Sequence, residues 1–128
     1  MTLTKDILAP IDELHDRAMS LVDQAYYANK KGEITSAEQL YREAFQYERA
    51  AAMLLINDYT MEPSRSILFR SAASILLQIP NKTAQDYREA ERMAALGLAG
   101  NPPDKIMPEL WEILLECHAF YLQKSRAA

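Results

Sequence analysis

The chain is 128 residues long, 49% apolar and 25% charged, with a formal net charge of −4. Those proportions suit one folded domain, residues 1–128, whose core needs neither disulfides nor metal, and they exclude wholesale disorder. An acidic balance with its cations scattered among acids, as in Arg88-Glu89-Ala90-Glu91-Arg92, argues against nucleic acid as a partner, because phosphate binding needs a concentrated basic surface.

Glycine is scarce, strand-type alternation is missing, and apolar residues recur at three- and four-residue spacing almost from end to end, which predicts an all-α chain of about five helices. A first helix is expected over about 10–31, with Leu14, Ala18, Leu21, Ala25 and Ala28 as its apolar stripe, Pro10 in the first turn, and Gly32 as its stop. A second, over about 36–58, starts from Thr35 as cap with Glu38 reaching back, and buries Ala37, Leu40, Tyr41, Ala44, Phe45, Glu48, Ala51, Ala52, Leu55 and Ile56. Met61-Glu62-Pro63-Ser64 breaks the chain, and Ser64 is the expected cap of a third helix over about 65–79. Thr83 and Asp86 cap a fourth over about 84–98, which Gly97 and Gly100 terminate. A fifth, over about 104–124, carries Pro108 near its first turn.

Internal comparison finds the same half-unit twice. Gly32-Glu33-Ile34-Thr35-Ser36-Ala37-Glu38-Gln39-Leu40-Tyr41-Arg42-Glu43-Ala44-Phe45 resembles the turn and second helix of a tetratricopeptide repeat. Asp86 to Leu98 resembles it again, with Ala90 in the place of Ala37, Gly97 in that of Ala44, and Pro102 where a repeat closes. The resemblance implies antiparallel helical hairpins stacked as a short array. The first would span 14–60 and the second 64–102, with 103–124 as a covering helix. The interval from Ala37 to Ala90 exceeds the family period of about 34 residues, so the second helix is long and the second turn holds an insertion. Ala37, Leu40, Tyr41 and Ala44 also resemble the second helix of the microtubule-interacting-and-transport domain.

In tetratricopeptide proteins the first helix of each hairpin lines a concave groove, which assigns Val22, Tyr26, Asn29 and Lys30, with Arg70, Ser74 and Gln78, to partner binding. An aromatic ring, an amide and cations suit an acidic peptide. Tyr26 suits groove or core, Tyr27 suits packing, and Arg70 could instead pair with an internal carboxylate such as Glu48 or Asp86. The fifth helix has two apolar faces. Leu110, Ile113, Leu114, Cys117, Phe120 and Tyr121 form one, and Trp111, Leu115, His118 and Leu122 a second that could serve a homodimer.

Catalytic arrangements find no support. Cys117 and His118 are adjacent on one helix and point about 100° apart, and Asp12, His15 and Asp16 occupy a single turn, a poor metal site without a second element. The expectation is no enzyme, no cofactor and no metal. A lone cysteine and an N-terminus without a secretion signal suggest the cytoplasm, and no apolar run reaches the roughly 18 residues of a membrane span. The function expected is a protein–protein interaction module for a peptide or helix of a partner protein, with a homodimeric scaffold as the alternative.

Overall fold

The three- and four-residue apolar spacing produces five α-helices in the computed structural model, which describes residues 2–127, with side chains from residue 9 onward. They are α1 (Thr2–Lys30), α2 (Ile34–Met53), α3 (Ser64–Gln78), α4 (Ala84–Leu98) and α5 (Met107–Ala127), with a 3-10 turn at Tyr59–Met61. The fold is all-α, with no strand among the described residues. Helices α1 and α2 form one antiparallel hairpin and α3 and α4 another, stacked through α2 and α3, and α5 packs on α4. No described helix is long and apolar enough to cross a membrane.

Alanines set the closeness of this stacking. Ala18, Ala25, Ala37, Ala44, Ala51, Ala52, Ala72, Ala73, Ala90 and Ala94 are all buried, so neighbouring backbones approach without side chains holding them apart. Between them Tyr41, Phe45, Leu55, Phe69, Ile75, Ile79, Met93 and Leu110 fill the interior. Each large apolar side chain contributes about 1.5–3 kcal/mol by leaving water.

The helix ends differ from expectation in instructive ways. Helix α1 begins eight residues before Pro10 and carries the proline inside it, where the missing N–H removes one hydrogen bond from the helical ladder. At the other end Gly32 adopts φ +80°, its N–H donates to Asn29 O at 3.0 Å, and Glu33 N–H donates to Ala28 O at 2.9 Å. This is a Schellman stop. Because it fixes Gly32 and Glu33, α2 starts directly at Ile34, and Thr35 lies inside the helix instead of capping it.

Helix α2 ends at Met53 rather than near 58, passing into tight turns and then Tyr59–Met61, whose start Asp58 caps by accepting from Thr60 N–H at 3.3 Å. Ser64 does not cap α3. The Glu62 carboxylate does so, accepting Ser66 N–H at 2.8 Å. Helix α4 has the expected reciprocal cap between Thr83 and Asp86. Gly97 lies within α4 rather than ending it, where a Cβ would come 2.9 Å from Leu110 Cδ2, so glycine permits the close α4–α5 crossing. Helix α5 starts at Met107 after a turn in which Ile106 and Met107 N–H donate to Pro103 O, leaving Pro108 in its first turn.

Candidate functional site: the α3–α5 groove

One turn apart on α3, Arg70, Ser74 and Gln78 project from the same face, and α5 lies opposite without closing on it. Between them is an open groove of about 550 Å³, lined by these three residues, Leu77, Glu109, Glu112, Ile113 and Glu116. Leu77 and Ile113 belong to or pack against the core and form an apolar floor. The α5 wall is a carboxylate ladder at i, i+3 and i+7. Arg70 Nη1 donates to Glu109 Oε2 across the groove, and Gln78 Nε2 donates to Ser74 O at 3.3 Å. Three carboxylates against one guanidinium leave the groove acidic, opposite to the acidic-peptide preference read from the sequence.

The α1 part of the expected site does not join it. Tyr26, Asn29 and Lys30 are exposed and Val22 is half-buried, but none lines the groove. Lys30 Nζ stands 5.1 Å from the Tyr26 ring centroid, and Tyr26 meets Tyr27 edge to face at 5.8 Å. Tyr27 is the more exposed of the two, the reverse of the packing role expected for it.

The internal carboxylates proposed for Arg70 have other partners. Glu48, wholly buried, accepts from His15 Nδ1 at 2.9 and 3.0 Å, which places His15 in an α1–α2 contact. Asp86 receives a two-pronged hydrogen bond from Arg42 at 2.6 and 3.0 Å. Burial opposes the Asp86 charge, but the hydrogen bonds from Arg42 and Thr83 outweigh it and hold the carboxyl below its usual range.

Comparison with protein-family models, curated proteins and solved structures finds no match. The site therefore stands on its own geometry.

The second face of α5 lies where the sequence pattern puts it. Trp111, Leu115 and Leu122 are 53%, 65% and 59% exposed, and His118 Nε2 is 3.0 Å from Glu91 Oε2 on α4. On the inner face Leu110, Ile113 and Cys117 are buried, and Phe120 stacks on Tyr87 with ring centroids 4.0 Å apart. Burial, followed by the nearby Glu91 and Glu116 carboxylates, pushes the Cys117 thiol up to about 11, a state unsuited to nucleophilic work at neutral pH.

The residue that sequence reasoning missed is Arg65. It is 1% exposed and donates to Ile56 O at 3.1 Å, Leu96 O at 2.8 Å and Gly97 O at 3.4 Å. Its guanidinium sits between the Tyr59 and Phe69 rings, 4.9 and 5.0 Å from their centroids. Glu62, 3.9 Å away, also accepts Asn101 N–H at 2.9 Å. This joint ties the end of α2, the start of α3, the end of α4 and the connection to α5.

Proposed function

We propose that the protein is a non-catalytic interaction module of the cytoplasm that holds a Lys- or Arg-bearing segment of a partner protein in the α3–α5 groove. The observation that carries this is the pairing of a carboxylate wall with an apolar floor in one open channel: the floor suits alkyl stems while the wall suits their charged ends. The tetratricopeptide resemblance accords with the α3 half of this surface alone, the first helix of the second hairpin, because its α1 residues lie outside the groove.

The test is a titration of the ¹⁵N-labelled protein with two amphipathic peptides of equal length, one lysine-rich and one glutamate-rich. The lysine peptide is expected to shift amide resonances of α3 and α5, more weakly as salt rises, and Glu112→Lys with Glu116→Lys to abolish the effect. Equal response to both peptides, or shifts confined to α1, would sink the reading. A second reading, a helical scaffold that self-associates, is favoured by the exposed Trp111, Leu115 and Leu122.

A further inference from the structure

The three acids along the α3–α5 groove differ in what faces them. Glu109 is met from α3 by Arg70 Nη1. Farther along the same α3 face stand Ser74 and Gln78, which are uncharged, and Gln78 directs its amide donor to Ser74 O. Among the described residues no cation pairs with Glu112 or Glu116. One face of α3 thus fills the first step of the carboxylate ladder and leaves the other two open above the Leu77 and Ile113 floor.

Resting on the basic-segment reading, we propose that Arg70 sets how many cations the groove accepts. It occupies Glu109 as a cation of the chain's own, so a partner segment is read as two cations about 6 Å apart, the rise from Glu112 to Glu116 at 1.5 Å per residue. A third cation on the partner must displace a guanidinium tethered beside its carboxylate, whose effective concentration there exceeds that of a free peptide. The guanidinium keeps its charge throughout the physiological pH range, so the block does not depend on pH. The Arg70 and Glu109 side chains are 29% and 50% exposed, and pairs this open contribute little to stability. Arg70 can therefore be changed without losing the fold.

The test compares two helical peptides, one with two lysines a turn apart and one with a third lysine a further turn along, titrated into the ¹⁵N-labelled protein. Salt is held at about 150 mM, where charges more than roughly 8 Å apart are screened. Wild type should bind both peptides alike. Arg70→Gln, with unchanged helical circular dichroism, should bind the three-lysine peptide about fivefold tighter than the two-lysine one, the effect of one added charge pair near 4 Å in water. Adding Glu109→Gln to Arg70→Gln should return the wild-type pattern, because the ladder again offers two carboxylates. Arg88→Gln, which removes an exposed cation outside the groove, should leave that pattern unchanged. A wild type that already gains from the third lysine overturns the proposal, as does an Arg70→Gln variant without the gain, a double variant that keeps it, or an Arg88→Gln variant that acquires it. All four outcomes leave the basic-segment reading standing. Wild-type α3 and α5 resonances that respond to neither peptide overturn that reading and this proposal together.

Discussion

Replacing Arg65 by methionine keeps much of its volume and removes its charge and five donors. Three backbone carbonyls, of Ile56, Leu96 and Gly97, lose a charged donor. Glu62 keeps the N–H groups of Ser66 and Asn101 and so is not orphaned outright. Breaking a buried charged cluster on one side costs about 3–5 kcal/mol, and the surviving Glu62 partners put this case near the lower end, about 3–4 kcal/mol. At about 4 °C per kcal/mol for a domain of this size, the melting temperature should fall about 12–16 °C. The assay is thermal and urea unfolding followed by circular dichroism at 222 nm. Arg65→Lys should recover little of the loss, since one ammonium cannot reproduce the planar fork that reaches separate carbonyls. A methionine variant melting within about 3 °C of wild type would refute the reasoning that this joint carries a large share of a total stability of about 5–15 kcal/mol.

Three further outcomes follow from single observations. The depressed Asp86 carboxyl contributes stability that is complete above its unfolded pKa of about 3.9 and is lost as pH falls through its lower folded value; Arg42→Ala should flatten the acid limb of the stability curve, and an unchanged limb would contradict this. Cys117, with its thiol pushed up to about 11, should not react with a disulfide reagent at pH 8 until denaturant is added, and stoichiometric labelling of the folded chain would contradict its burial. Gly32→Ala meets open space but must hold φ +80°, so urea unfolding should show a loss of about 1–2 kcal/mol from backbone strain alone.

Much of the fold was legible because apolar period and capping chemistry act locally. Ala18, Leu21, Ala25 and Ala28 are buried as their spacing predicts, the Thr83–Asp86 cap forms, and the two faces of α5 divide into a buried and an exposed set. Thr35 misled because a start signal competes with the stop before it, and the Gly32 turn settles Glu33 first. Arg70 drew attention as a cation inside an apolar helix, yet Arg65, five residues earlier, holds the buried position. One signal pointed to Arg65: a cation in the first turn of a helix opposes the dipole, and Glu62 stands three residues before it. Which carbonyls would receive it depended on where α4 and its following loop end, which no local pattern encodes. The groove was half legible. The α3 residues could be placed by period, but the glutamates opposite them depend on how α5 crosses α3.

The Arg65 joint also bears on binding, because it positions α5. A Cβ on Gly100 would stand 2.3 Å from Arg65 Nη1 and 2.8 Å from Glu62 Oε2, so the connection to α5 passes against the joint through a residue without a side chain. The acidic wall and the exposed Trp111, Leu115 and Leu122 are on two faces of that one helix, about a third of a turn apart. A helix seated on the apolar face would therefore leave the carboxylates open. Groove binding and the self-association reading are compatible, and a self-associated pair would carry two acidic grooves. A partner with two basic segments joined by a linker long enough to span them would then bind more tightly than either segment alone, with a gain set by the effective concentration of the second segment.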